Sequence, residues 1–349
     1  MRSNPVGFVQ LSCKLSPVVR IFVLVASVAM LAASSAFPSR PASPRIHLVL
    51  AFAQGQTFRY GVQMRIATAS AASGPIKNAG GPKQLNQTIG VVIRLDVLSA
   101  SAASSLPAPV RIRATYDQVN ATNNSPGYDP DIAAMEDQYK KLSGESIEFT
   151  LQPDGKISDV TGLNALASDS NPSRAALVNQ WLSQLTLGAS LPKQGIAIGE
   201  KWSSEQPLAN VPLDGLSWKS TATYLRNESC PAASQPSQTG GVAITPAPSP
   251  EQCAVILTRS EIVGGSDSKD RTPEVFRQNG LSTFGVWTGN AESLTSVSLR
   301  TGLVSSVTQT GSTHMDFTIM TSHGQNRMRY AGETHTQSEI TLLSSSGLP

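Results

Sequence analysis

The chain has 349 residues, of which 15% are charged, with 27 basic and 24 acidic side chains and a formal charge of +3. No block of five or six like charges occurs, which excludes a nucleic-acid-binding stripe and a polybasic membrane patch. The abundance of Ser, Thr, Ala, Gly and Pro favours strands joined by turns over a helical bundle, in one large β domain or two modest ones.

At the N-terminus, Arg2, Lys14 and Arg20 precede an uncharged apolar run from Ile21 to Ala33, and small residues follow. Basic head, apolar core and small-residue exit in that order read as a removable export signal over residues 1–36, cut after Ala36. Ala51-Phe52-Ala53 offers an alternative cut, in which case Ile46 to Ala53 belongs to the discarded leader rather than to a first strand. The apolar run of about 13 residues is shorter than the roughly 20 that span a bilayer as a helix, so no stable transmembrane segment is expected after processing. Removing residues 1–36 leaves 24 basic against 24 acidic residues; a cut after Ala53 also takes Arg40 and Arg45 and leaves 22 against 24.

Beyond the leader, turn-rich stretches at 69–84, 99–108 and 120–130 separate three runs of strand character, Phe58 to Ala67, Thr88 to Leu98 and Val110 to Val119. In the third, apolar and polar residues alternate as in an antiparallel strand with one wet face. Asp129-Pro130 opens a helix near 130–142, with Ile132, Met135, Tyr139 and Leu142 on one stripe and Gly144 as its stop. Residues 147–162 read as strand, Asp154-Gly155 turn, strand. Asn171-Pro172 then opens a connecting helix over 171–188, whose buried side carries Leu177, Trp181 and Leu185. Further strands are expected at Leu216 to Arg226, Ala254 to Ile262 and Leu281 to Trp287. A second hairpin, 297–311, turns at Thr301-Gly302 and echoes 147–162. The expected fold is therefore mainly β: antiparallel meanders forming a curved or barrel-like sheet with two packed helices, in two related halves, 54–170 and 189–349.

With Cys13 inside the leader, Cys230 and Cys253 are the remaining cysteines, bounding a Pro-, Ser- and Gly-rich segment with no C-x-x-C and no nearby His. In an oxidising compartment such a pair reads as a structural disulfide, worth roughly 3 kcal/mol through loop closure.

Three features, Asp154-Gly155-Lys156, Leu191-Pro192 and Ile198-Gly199-Glu200-Lys201-Trp202, together resemble an exported bacterial family described as a domain of unknown function. The likeness spans about residues 55–320 and implies a fold and a periplasmic or extracellular location; it brings no catalytic residues. The strand, T-G turn, strand pattern at Thr301-Gly302 also resembles the periplasmic lipoprotein carriers, which implies an antiparallel half-barrel around an apolar cavity.

Candidate chemistry is sparse. His314 and Asp316 share a strand face, as do His335 and Glu339, but the spacing of His314, His323 and His335 matches no zinc motif. This polar cluster is the only basis for a hydrolase, and hydrogen-bonded surface pairs are the simpler reading. Ser266-x-x-Lys269 lacks the helical setting that a Ser–Lys mechanism needs. The sequons at Asn86, Asn120, Asn123 and Asn227 carry meaning only in a eucaryotic secretory route. Trp202, Trp218 and Trp287 sit in or beside strands; aligned on one face they offer a surface for an apolar ligand, with sheet core as the simpler alternative. No catalytic, cofactor-binding or metal-binding residue is assigned. The expectation is an exported envelope protein that binds or carries an apolar molecule, lipid or lipidated partner, with a structural or protein-interaction component as the alternative.

Overall fold

The computed structural model describes residues 44–48, 51–74, 83–100, 108–125, 139–152, 157–162, 191–192, 194–208, 211–231, 251–264, 271–321 and 326–346. The chain divides into two compact units, Met1–Pro44 and Arg45–Pro349. All of the first but Pro44 lies outside the described residues; the second holds every described strand.

Five strands follow one another outward from the middle of the sheet: β1 (Thr57–Ser73), β2 (Lys83–Ala100), β3 (Val110–Asn124), β4 (Ser146–Leu151) and β5 (Ile157–Thr161). Six more run back inward: β6 (Lys201–Pro207), β7 (Ser217–Ser229), β8 (Gln252–Val263), β9 (Leu281–Ser298), β10 (Val304–Thr321) and β11 (Arg327–Ser346). Antiparallel pairing of β1 with β11, from Thr57↔Ser346 to Ser73↔Arg329, merges the two runs. The result is one antiparallel sheet in the order β5-β4-β3-β2-β1-β11-β10-β9-β8-β7-β6. The sheet is not closed, and β5 and β6 are its edges. Strands β5 to β1 and β10 to β6 cross the sheet in the same order, with β11 between them.

The mainly β class read from the sequence is the class of the structure, but strands reach further than local propensity indicates. Ala69 to Ser73, Ser99 to Ala100 and Asn120 to Asn124 were expected in loops and are strand. In β1 the segment Ala69–Ser73 pairs with β11 along its whole length. A ladder supplied by neighbours overrides the weak β preference of Ala, Ser and Asn. Of the expected helix near 130–142 only its end is described: Tyr139 and Lys140 are helical, and Gly144 sits at φ +86° as its stop. Tyr139 and Leu142 pack against the main core. The 171–188 helix and the Asp154-Gly155-Lys156 turn lie outside the described residues. A short helix, α1 (Glu274–Gln278), precedes β9.

The Thr301-Gly302 turn is present. Gly302 takes φ +69°, Ser298 N–H donates to the Leu303 carbonyl, and Ser298 Oγ accepts the N–H of Thr301 at 3.0 Å. The resemblance motif at 198–202 is a turn into β6. Gly199 at φ +85° donates its N–H to the Tyr224 carbonyl, Lys201 starts the strand, and Trp202 packs on the core.

Two apolar clusters form. The main one gathers Phe58, Tyr60, Ile93, Ile112, Phe149, Tyr224, Ile256 and others at one end of the strands. The Tyr60 hydroxyl donates to the Val304 carbonyl at 3.0 Å, and full burial raises its pKa well above the ordinary tyrosine value. The smaller cluster, Leu213, Leu216 and Phe317 with Trp287, Met315 and Tyr330 packed against it, lies at the far end of β9, β10 and β11.

Candidate functional site

Register assigns every paired side chain to one of two faces, because direct cross-strand partners point the same way. One face runs through Tyr60, Met64 and Ile66 on β1, Ile89 and Ile93 on β2, and Ile112 on β3. On the other side of β11 it continues through Val307, Gly311 and Phe317 on β10 and through Ile256 and Ser260 on β8. Among the paired residues of all eleven strands, this face carries one charged side chain, Lys83, at the exposed start of β2. Between the two apolar clusters the lining becomes small and uncharged: Thr68, Ser70, Thr334, Thr336, Gly311 and Gly289 are all half-buried.

Charges collect on the opposite face, where they pair across strands. Asp117 meets Arg59 at 3.1 Å and Arg94 at 3.4 Å. Glu148 accepts from Arg113 at 2.8 Å and from Arg111 at 3.3 Å. The Arg113 hydrogen bond, supported by Arg111, holds the Glu148 carboxyl below the usual carboxylate range.

All three tryptophans named from the sequence lie on the uncharged face, yet they do not converge. Trp202 packs against the main cluster, Trp287 belongs to the smaller one, and Trp218 pairs in register with Gln206 and Ile262. Trp287 stacks on Phe317 (centroids 6.3 Å apart, 2° between planes), and Phe317 stacks on Tyr330 (5.2 Å, 19°). This three-strand aromatic row was not legible in the sequence, because its members are 30 and 13 positions apart and meet only through the β9–β10–β11 register. The buried indole N–H groups of Trp202 and Trp287 have no hydrogen-bond partner among the described residues.

His314, Asp316, His335 and Glu339 all lie on the charged face, away from the tryptophans. Among the described residues each either meets a charged side chain or lies opposite neutral ones. Asp316 is gripped by Arg329 at 2.8 and 2.5 Å, which keeps its carboxyl below the ordinary range. His314 faces Glu333 at 3.5 Å, and both side chains are more than half exposed. His335 lies opposite Ser312, and Glu339 opposite Thr308. Four strand positions separate His335 from Glu339, about 13 Å at the usual rise, so sharing a face does not bring them together. His323 lies outside the described residues. Among the described residues no group of three or more His, Cys, Asp or Glu is placed to hold a metal ion.

Two shallow grooves also open on the charged face. One, of about 670 Å³, crosses β7 to β10 past Lys219, Arg259, Glu261, Asn290 and Glu292. The other, of about 290 Å³, runs past Gln63, Gln118, Asn120 and Glu339. Neither is lined by an apolar aromatic side chain.

Cys230 and Cys253 are joined, with Cα atoms 4.9 Å apart, at the end of the β7–β8 hairpin where the connecting segment leaves and returns. Among the described residues no helix is long and apolar enough to cross a membrane. No family model matches this chain, and no curated protein matches it.

Proposed function

We propose that the protein is an exported, non-catalytic binder of the cell envelope that holds an apolar molecule, a lipid or lipidated partner, against the uncharged face of its sheet. The observation that carries this reading is the segregation of charge. Among the paired residues of the eleven described strands, one face bears Lys83 as its single charge, while the other bears the paired arginines and carboxylates. Burying a charge against an apolar ligand costs several kcal/mol, so a surface kept free of charge tolerates such contact. Small side chains between the two clusters leave depth above the backbone, and the ladder already satisfies the backbone polar groups beneath. The disulfide is compatible with an oxidising, exported location. The same strand order in β5–β1 and β10–β6 supports two related halves.

A second reading, a structural or protein-interaction component of the envelope, is favoured by the two edge strands, β5 and β6, whose outer sides pair with no strand among the described residues. Native mass spectrometry of the exported protein, before and after denaturation, separates the two. Bound apolar mass released on denaturation supports the binder. A bare chain, with no uptake of a fluorescent fatty acid, refutes it and turns attention to the edges.

A further inference from the structure

We infer that the segment holding residues 45–48 and 51–53 remains in the mature protein, its described residues acting as a strap across one end of the sheet, so that the export signal is cut upstream of Arg45 and not after Ala53. The inference rests on the export reading and decides between the two cuts that the sequence offers.

The strap is tied at four places in the fold. Its first residue, Arg45, reaches the turn before β6. The guanidinium donates to both oxygens of Glu200 at 2.7 and 2.8 Å and to the carbonyls of Gln194 and Gly195 at 3.1 and 2.9 Å. The Glu200 carboxyl, which also accepts the Ala197 N–H, is held below its ordinary range, first by Arg45. Next, Ile46 exchanges both backbone hydrogen bonds with Ile196, at 2.8 and 2.9 Å. Ala51 N–H donates to the Thr301 carbonyl at the β9–β10 turn, at 3.0 Å. Finally, Ala53 N–H donates to Oε1 of the buried Gln56, whose own N–H donates to the Ala53 carbonyl and whose carbonyl accepts the Val97 N–H. Between these ties Ile46, Leu48 and Phe52 pack against the main cluster, and Phe52 meets Phe58 edge-on at 5.9 Å. The strap thus links the approach to β6, the β9–β10 turn and β2, elements far apart in sequence.

Signal removal precedes folding, so the fold does not shield Ala53 from the protease. What differs is the product. A chain starting at Gln54 loses every one of these ties, leaves Gln56 Oε1 without its donor and uncovers part of the main cluster. The Glu200 of the motif at 198–202 then keeps its turn but loses its cation. A chain cut upstream of Arg45 keeps them all.

The test starts from the full chain produced in an exporting bacterial host. Intact mass and N-terminal sequencing of the exported protein should place the first residue between Phe37 and Arg45. A start at Gln54 overturns the inference while leaving the export reading intact, and an uncut chain starting at Met1 overturns both. In the same full chain, Arg45→Ala should lower the melting temperature by about 2–5 °C, and Ile46→Pro, which removes the N–H bound by Ile196, by more. If both variants melt with the parent, the strap does not hold the fold and the inference fails. If the proline variant does not accumulate, the milder Arg45→Ala decides alone.

Discussion

Reducing the Cys230–Cys253 bridge isolates one physical effect, because both side chains stay in place and only the cross-link is lost. The bridge joins positions 23 apart at the end of a hairpin whose last ladder pairs are Glu228↔Cys253 and Ser229↔Gln252. A closed loop of that size removes about 11 cal/mol/K from the unfolded chain in the loop-closure description, or about 3.4 kcal/mol at room temperature. At about 2.1 cal/mol/K per residue, a domain of roughly 300 residues unfolds with an entropy of about 0.6 kcal/mol/K, so reduction should lower the melting temperature by about 5 °C. The assay is a pair of thermal melts by circular dichroism, with and without reductant, after thiol titration confirms that both cysteines are free. A shift below about 1 °C would refute the loop-closure argument, since the free ensemble would then gain nothing from the released segment. A loss above about 15 °C would refute it in the other direction, showing that the bridge holds native packing around the fully buried Cys253 rather than limiting the unfolded chain.

Three further outcomes are expected. Tyr60→Phe removes the donor to the buried Val304 carbonyl and should cost about 1–2 kcal/mol in urea unfolding; equal midpoints would show the hydrogen bond to be dispensable. Gly285 lies at φ +140°, where an added Cβ would stand 2.3 Å from the Asp316 carbonyl oxygen and 2.5 Å from the Phe317 Cα. Gly285→Ala should therefore cost more than about 3 kcal/mol, whereas Gly55→Ala, also at positive φ but in open space, should cost only about 1 kcal/mol; similar losses would contradict the steric account. Glu148 and Asp316 have carboxyls depressed by Arg113 and Arg329 respectively, so the unfolded chain binds protons more readily than the folded one as pH falls. Their stabilisation is present above the ordinary carboxylate range and is lost as pH drops through their lowered folded values. Glu148→Gln should accordingly flatten the acid limb of the stability–pH curve, and parallel curves for parent and variant would exclude that linkage.

Much of the candidate surface was visible as residue types but not as an arrangement. Trp202 and Trp218 stand between polar neighbours and Trp287 lies in a run of strand character, which suffices to place each on a strand face. That the three faces coincide, and that the tryptophans still divide between two clusters, depends on ladder register. Likewise, His314 and Asp316 read as a pair two residues apart. What occupies Asp316 is Arg329, on the next strand, at a distance no local spacing reveals. Strand ends were the least legible feature. Ala-, Ser- and Asn-rich stretches look like loops until a neighbouring strand supplies their hydrogen bonds.

By itself the sequence determined the β class, the Thr301-Gly302 hairpin, the stop at Gly144 and the pairing of Cys230 with Cys253. Each of these depends on short-range chemistry: side-chain alternation, a glycine at positive φ, or two cysteines bounding one turn-rich segment. Only the tertiary structure decided that β1 and β11 meet in the middle of one open sheet, that the charged side chains of its paired residues, Lys83 apart, share one face, and that Arg45 reaches Glu200. The β1–β11 ladder and the Arg45–Glu200 pair join residues more than a hundred positions apart, and even the nearer charge pairs depend on register, where the pattern along the chain carries no record of which partner a strand or side chain will find.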